Sequence, residues 1–280
     1  MSIKIIIDSA SDYTVEEAKK DGLTVVPLSI TFPDGEFFDG TELSREEFYK
    51  RLTTQDFFPK TSQVNPHAFK EVFSEELKSA DELLVITLSS KLSGTYASAV
   101  SAAEKNNKIY VFDSQNVTAG LYLIIKYAVK LRDEGRCAGE IFELLTEMRP
   151  YVCTIGLLDT LKYLKKGGRI SGAAAIAGSF LNLKPYAEVK NGKIEIAGKA
   201  RGHKRGMSAL LSMIKSEGID ERFPLVYAYA GLSSENAEEL KKLSSSIIGG
   251  AQVFPTLIIG STIGTHVGPG AAAIGFFKKH

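Results

Sequence analysis

The sequence predicts an α/β protein in two parts. The first is an N-terminal α/β/α domain with a mainly parallel sheet; the second is a C-terminal α+β domain with a mixed or antiparallel sheet. Three observations support this: strand and helix patterns alternate in the first half, hairpin signals appear in the second, and 280 residues can form two modest domains. We expect residues 1–155 to form the first domain and residues 156–280 to form the second.

Short apolar runs and helical patterns alternate through the first half of the chain. The expected strands are Ile3–Ile7, Thr24–Phe32, Glu36–Phe38, Leu83–Leu88 and Lys108–Phe112, with a hairpin turn at Pro33-Asp34-Gly35. The expected helices run from Thr14 to Lys20, from Ser44 to about Leu52, from Asn65 to about Ser79, from Val117 to Glu134 and from Gly139 to Tyr151. Ser44 with Glu47 forms a capping box, and Asn65-Pro66 supplies a cap and a first-turn proline. This βαβ rhythm predicts a parallel sheet covered by helices.

The second half mixes hairpin and helix signals. The expected elements are a strand at Cys153–Leu157, helices at Thr160–Lys166, Ala173–Leu181, His203–Glu217 and Ser234–Ser245, and a strand at Leu225–Ala230. Asn191-Gly192 predicts a tight antiparallel turn between Pro185–Val189 and Lys193–Ala197. Three further segments are rich in small or apolar residues: Ala173–Leu181, Leu257–Ile263 and Ala271–Phe277.

The composition argues against partners such as nucleic acids and membranes. The 34 basic and 33 acidic residues give a net charge of +1, which favours neither nucleic acid nor an anionic membrane. The first residues lack a signal-peptide pattern, and no stretch approaches the roughly 20 apolar residues of a membrane span. We therefore expect a cytoplasmic protein without stable membrane insertion, in which Cys137 and Cys153 stay reduced.

The most informative segment is Ser89–Tyr96, where a buried strand passes through hydroxyl and glycine residues into an Ala-rich helix. Backbone N–H groups, side-chain hydroxyls and the positive end of the helix meet at such a turn. The turn therefore suits a carboxylate or a phosphate. The alternative is an ordinary loop in which Ser93 only caps its own helix.

A second hydroxyl-rich segment, Thr61-Ser62-Gln63, also precedes a helix. The carboxyl ends of parallel strands meet at one edge of a sheet, so Asp8–Asp12, Ser89–Tyr96 and Asp113–Gln115 should share a rim. Two such helix starts could hold a carboxylate by neutral donors, without a buried cation. The alternative is that Thr61 and Ser62 only satisfy loop backbone.

Among the four histidines, His266 stands in a run of small residues, Thr262–Gly270, where a buried ring needs a partner. A structural histidine bonded to a backbone carbonyl is the alternative. The chain has no GxSxG or GxxxxGK[ST] motif and no acidic or histidine cluster at metal spacing. We therefore expect neither a metal nor a cofactor.

Six motifs in order resemble the DegV family, the fatty-acid-binding subunits of bacterial fatty acid kinase. They are the start IIIDSASD, Thr61-Ser62-Gln63 with Pro66, LSSKLSGTY ending at Tyr96, VFDS ending at Ser114, LKYLKKGGRIS ending at Ser171, and IGTHVGPG ending at Gly270. Any one motif is weak, but six at these intervals are specific, and they extend over essentially the whole chain.

The resemblance implies a non-catalytic carrier that encloses one long-chain fatty acid, such as palmitate, stearate or oleate, in a tunnel between its domains. The small and apolar segments of the second half would line this tunnel. Thr61, Ser62, Ser93 and Gly94 would hold the carboxylate, and His266 would complete the hydrogen-bond network. A separate ATP-dependent fatty acid kinase would convert the bound acid into an acyl phosphate. Arg201, in the basic segment 199–205, would help to dock that kinase.

Two other functions stay open from the residues. An acyl-ester hydrolase could use Ser93 or Ser62 as nucleophile and His266 as base. A relative of dihydroxyacetone kinases could bind a triose, with a histidine engaging the ligand carbonyl.

Overall fold

The computed structural model describes residues 2–169 and 182–279, which form three sheets with helices around them. The first sheet is parallel and its strand order is β2-β1-β6-β7. Its strands are β1 (Ile3–Asp8), β2 (Leu23–Val26), β6 (Glu82–Thr87) and β7 (Ile109–Asp113). The last five residues of β6 are buried, as in a strand that is covered on both faces.

Helices of the first half cover this sheet. They are α1 (Val15–Lys20), α2 (Arg45–Thr54), α3 (Pro66–Glu76), α4 (Thr95–Ala103), α5 (Thr118–Asp133) and α6 (Ala138–Met148). Helices α3 and α4 pack on each other, as do α5 and α6, and both α4 and α6 contact β6 and β7. Side-chain caps begin α2 and α3 where the sequence predicts them: Ser44 accepts from the Glu47 N–H, and Asn65 accepts from the Ala68 N–H.

A small antiparallel sheet, β4-β3-β5, stands beside the parallel one. It consists of β3 (Ser29–Phe32), β4 (Gly35–Phe38) and β5 (Lys60–Ser62). The expected hairpin is present, but the expected strand Thr24–Phe32 is two strands in different sheets. Pro27 lies at the break, where it can donate no backbone hydrogen bond to a sheet.

The six-stranded sheet has the order β10-β9-β8-β13-β11-β12 and is antiparallel except for its last pair. Its strands are β8 (Val152–Leu157), β9 (Leu183–Lys190), β10 (Lys193–Arg201), β11 (Val226–Tyr229), β12 (Leu257–Ile258) and β13 (Ala272–Phe277). The helices of this half are α7 (Lys162–Lys166), α8 (His203–Glu217), α9 (Glu235–Ser244) and α10 (Ser261–Val267). The predicted combination of a parallel and a mixed sheet is therefore confirmed.

Helix α5 joins the two halves because it contacts β1 of the parallel sheet and β8, β11 and β13 of the mixed sheet. The expected domain boundary after residue 155 falls inside β8, which pairs with β9 and β13. We propose that a division of the chain lies just before Val152. The expected helix Ala173–Leu181 lies outside the described residues. Every helix within the described ranges is too short or too polar to span a bilayer.

Candidate ligand-binding site

A cavity of about 330 Å³ lies where the parallel sheet, the edge of the small sheet and α10 meet. All five residues expected to bind a ligand contribute to its wall: Thr61, Ser62, Ser93, Gly94 and His266. The same wall contains other polar side chains and several apolar ones, namely Gln63, Arg169, Thr262, Leu28, Leu88, Leu92, Val117, Ile194 and Ile263. Ser62 and Gln63 are exposed, whereas His266 is buried, so the cavity opens beside β5.

Side-chain hydrogen bonds hold the two hydroxyl segments together. Gln63 Nε2 donates to Ser98 Oγ at 3.1 Å, and the Val64 N–H donates to Thr95 Oγ1 at 3.4 Å. The Gln63 side chain lies so close to Gly94 that a β-carbon at Gly94 would overlap it. Gln63 is exposed and its side chain could shift, so the contact shows that the two segments pack closely at the start of α4, which has no side-chain cap at Gly94.

Ser93 makes hydrogen bonds at the start of α4, as the capping alternative predicts in part. Its Oγ lies 2.9 Å from Thr95 Oγ1 and accepts from the Thr95 N–H at 3.3 Å. The same residue lines the cavity. Ser93 therefore stands both at the helix start and in the cavity wall.

Carboxylates at the strand ends organise the rim. Asp8, at the end of β1, accepts from the Leu88 N–H at 2.6 Å and from the Ala10 N–H at 3.0 Å. Asp113, at the end of β7, accepts from the Ser90 N–H at 3.0 Å and from Ser90 Oγ at 2.5 Å. The three strand ends thus share one rim, as their parallel order requires. Burial raises the pKa of Asp8 to about 7, although its two backbone hydrogen bonds oppose the rise.

Two more buried carboxylates fix α10, the helix that carries His266. Asp39 accepts from the Ser261 N–H at 2.9 Å and from the Thr262 N–H at 3.0 Å. Asp12 accepts from the Gly260 N–H at 2.8 Å, and burial raises its pKa to about 6 against the opposing charge of Arg45. Local sequence gave no signal for these pairings, because Asp39 and Ser261 are 222 residues apart.

His266 pairs with Thr61 and not with a serine. Its Nε2 lies 3.0 Å from Thr61 Oγ1, while Nδ1 has no hydrogen-bond partner among the described residues. Burial, with Arg169 as the second cause, lowers the pKa of His266 to about 4, so the ring is neutral near pH 7. We assign the ring hydrogen to Nε2, where it donates to Thr61, because a hydrogen on Nδ1 would be a buried donor without an acceptor. The Thr61 hydroxyl can then donate its own hydrogen into the cavity.

The wall contains a cation that the hydroxyl pattern did not predict. Arg169, half-buried, donates from Nε to Leu92 O at 3.2 Å and from Nη1 to Gly167 O at 2.8 Å. Gln63 and Thr262 are further wall residues that the sequence did not predict. Arg169 and Gln63 belong to motifs that the sequence displays, but nothing local shows that their side chains reach a cavity.

The cavity continues towards a smaller apolar one of about 50 Å³. The two share Val117, Ile194 and Ile263, and the smaller is lined further by Leu158, Ala187, Ala271, Ala272 and Ala273, among others. These residues come from β8, β9, β13 and the segments beside them. A polar cavity and an apolar one therefore adjoin each other and share three wall residues.

The side-chain geometry lacks the Ser/His pair of the hydrolase alternative and places Arg201, the expected docking residue, away from the cavity. Neither Ser62 nor Ser93 is hydrogen-bonded to His266, which pairs with Thr61, so the Ser/His pair of a hydrolase is not formed. Arg201 is exposed at the end of β10, just before α8, and does not line the cavity. Within the described ranges, no group of three or more His, Cys, Asp or Glu side chains could hold a metal ion.

Fold and cavity define an α/β protein of three sheets with a hydroxyl-lined, partly apolar cavity where these sheets and α10 meet. The family model described as "Uncharacterised protein, DegV family" matches residues 2–279. A DegV domain-containing protein of Caldanaerobacter subterraneus is 36% identical over 282 residues, covering 99% of each chain. This chain therefore belongs to the DegV family.

Solved structures of the family have the same fold. A DegV family protein of Thermus thermophilus, described as fatty-acid binding, has a TM-score of 0.88 at 30% identity and covers 100% of both chains. A stearic-acid-binding protein of Eubacterium ventriosum has a TM-score of 0.88 at 26% identity, covering 99% of this chain and 98% of that one. The expected family and fold are thus confirmed over the full length.

Proposed function

We propose that this protein binds one long-chain fatty acid, such as palmitate, stearate or oleate, and acts as a carrier without catalysis of its own. Thr61, Ser62, Ser93 and Gly94 would hold the carboxylate, with His266 behind Thr61. The observation that carries the proposal is that these groups line one cavity with an apolar continuation. The fatty-acid binding of the Thermus and Eubacterium relatives supports it.

The energetics suit a ligand with a long apolar tail and one polar head. Each buried methylene contributes roughly 0.8 kcal/mol, so about 14 methylenes contribute roughly 11 kcal/mol before ordering costs. Removing a carboxylate from water costs at least several kcal/mol unless donors replace its hydration. The tail therefore supplies most of the affinity, while the hydroxyl groups fix the position of the head.

The first experiment identifies the ligand and tests the head-group residues. Native mass spectrometry of gently purified protein should reveal one C14–C18 fatty acid per chain, and stripped protein should take up added palmitate. The double variant Thr61→Ala/Ser93→Ala should bind palmitate roughly tenfold to a hundredfold more weakly yet still carry it.

A matched control is Thr54→Ala/Ser79→Ala, which removes an exposed threonine hydroxyl at the end of α2 and an exposed serine hydroxyl in the turn after α3. It should bind palmitate like the wild type. Wild-type protein that is repeatedly ligand-free and refuses palmitate and oleate would overturn the proposal. Thermal stabilisation by dihydroxyacetone in place of oleate would point to a triose ligand.

Presentation of the acid to a separate ATP-dependent fatty acid kinase is the further part of this proposal, and the family resemblance supports it. Arg201→Ala should slow formation of acyl phosphate at limiting kinase without changing the lipid content. Arg136→Ala, an exposed arginine on the turn before α6, is the matched control and should not alter turnover. If both variants form acyl phosphate at the same rate, Arg201 is not part of the docking surface.

A further inference from the structure

One hydroxyl in the cavity wall has no hydrogen-bond partner among the described residues. Thr262 Oγ1 is fully buried, and the residue as a whole is 3% exposed. Three other buried side-chain atoms share this condition, on Thr87, Ser261 and His266, but only Thr262 and His266 line the cavity. Buried hydroxyls in proteins are nearly always paired, so this one needs an explanation.

The position of Thr262 is set by its backbone and not by its hydroxyl. Its N–H donates to Asp39 Oδ2 at 3.0 Å in the first turn of α10. Residues four apart lie on one face of a helix, so Thr262 and His266 face the cavity together, one turn apart. The unpaired hydroxyl thus stands beside the histidine that supports Thr61.

Thr265 in the same helix shows the usual solution for a buried threonine. Its Oγ1 donates to the Ser261 carbonyl at 2.9 Å, one turn back, and it does not line the cavity. Thr262 has no such bond. Valine has the same shape and would avoid the cost of an unpaired hydroxyl, so threonine at this position suits a partner that arrives with the ligand.

We propose that Thr262 is a further head-group contact whose hydroxyl donates a hydrogen bond to the carboxylate of the bound fatty acid. This inference rests on the proposed function. A carboxylate offers about four lone-pair sites, which is room for Thr262 in addition to Thr61 and Ser93. The contact would help to fix the orientation of the head against α10.

The test compares Thr262→Val with Thr265→Val, using palmitate and the uncharged probe hexadecan-1-ol on stripped protein. Thr262→Val should bind palmitate about tenfold more weakly and hexadecan-1-ol with little change, because a hydrogen bond to a charged group is lost. Its ligand-free thermal midpoint should equal or exceed that of the wild type, since no native hydrogen bond disappears. Thr265→Val should lower the midpoint and leave the palmitate affinity unchanged. Thr262→Ser, which retains the hydroxyl, should restore palmitate binding.

The outcomes separate this inference from the proposed function. If Thr262→Val binds palmitate as tightly as the wild type does, the inference is overturned and the proposed function is not. The same holds if Thr262→Val loses affinity equally for palmitate and hexadecan-1-ol, because an equal loss indicates a change in packing and not a lost hydrogen bond to the carboxylate. Should Thr262→Val not fold, Thr262→Ser with wild-type stability and weakened palmitate binding would also overturn it. A wild-type protein that binds no fatty acid would overturn both proposals.

Discussion

At the residue scale, the pair of His266 and Thr61 illustrates how burial sets the protonation state of a side chain. The imidazole is 8% exposed and lies directly against Gly167, where a β-carbon would overlap Nδ1. A charged ring at this place would lose its hydration without gaining an acidic partner. Neutral His266 can instead donate to Thr61 and leave the threonine hydroxyl free for a ligand.

This environment predicts a pH-dependent contribution to stability. The pKa of His266 is about 4 in the folded protein and about 6.5 in the unfolded chain, so between these values the unfolded state binds more protons. The contribution is complete above about pH 6.5 and is lost as the pH falls towards 4, by roughly 3 kcal/mol in total.

The measurement is the free energy of unfolding of ligand-free wild type minus that of His266→Gln, from pH 7 to pH 4. The titrations of Asp8 and Asp12 occur in both proteins and cancel in this difference. We expect the difference to decrease steadily as the pH falls below 6.5. A constant difference over the whole range would show that the ring titrates as it does in water.

At the element scale, the β9–β10 hairpin closes onto the rim of the parallel sheet. Ser89 Oγ donates to the Gly192 carbonyl at 2.6 Å, which joins the hairpin tip to the segment that leads into Ser93. Asn191 and Gly192 have φ values of 48° and 78°, the left-handed pair that the Asn-Gly signal predicts. The turn was therefore predictable from the sequence, whereas its contact with Ser89 was not, because that contact spans 103 residues.

Two glycine variants isolate this contact. A β-carbon at Gly192 would lie 2.6 Å from Ser89 Oγ, whereas at Gly135, with φ of 87°, it would meet no atom within 4 Å. Both Gly192→Ala and Gly135→Ala incur a backbone penalty of about 1–2 kcal/mol. Gly192→Ala alone should also accelerate amide hydrogen exchange at the Ser89–Ser93 segment. Equal exchange in the two variants would mean that the hairpin tip does not hold the segment.

Helix α10 is an element that the sequence did not predict. Its glycines and its histidine were visible as a motif, but nothing in the motif showed that Asp39 and Asp12 hold its first N–H groups. A seven-residue helix is too short to be stable alone, so its position depends on such tertiary partners. For this reason Thr262 became visible as a wall residue only in the folded chain.

At the scale of the whole molecule, the apolar extension lies between the mixed sheet and elements that pack on it. Ala271, Ala272 and Ala273 line it, and small side chains there leave space that larger ones would fill. If the acyl chain occupies this space, the wall residues limit its length. The proposed carrier should therefore change its chain-length preference when one alanine is enlarged.

Ala273→Leu tests this expectation. The added carbons should weaken binding of stearate and palmitate by roughly tenfold or more, since several methylenes would lose their buried site. Dodecanoate is the internal control and should bind as it does to the wild type. Equal weakening of all three acids would indicate a general distortion of the cavity. Unchanged stearate binding would place the chain elsewhere.

The sequence by itself determined most of the elements and the groups that bear chemistry. Apolar periodicity, caps and turn residues act over a few neighbouring residues, and they indicated the parallel sheet, the hairpins and the hydroxyl segments at Thr61 and Ser93. The tertiary structure decided which of these groups face one cavity, and it added Arg169 and Thr262 to the wall. The physical reason is that these contacts join residues up to 248 positions apart through buried hydrogen bonds such as that from Gly260 to Asp12. Local propensity does not encode such pairings.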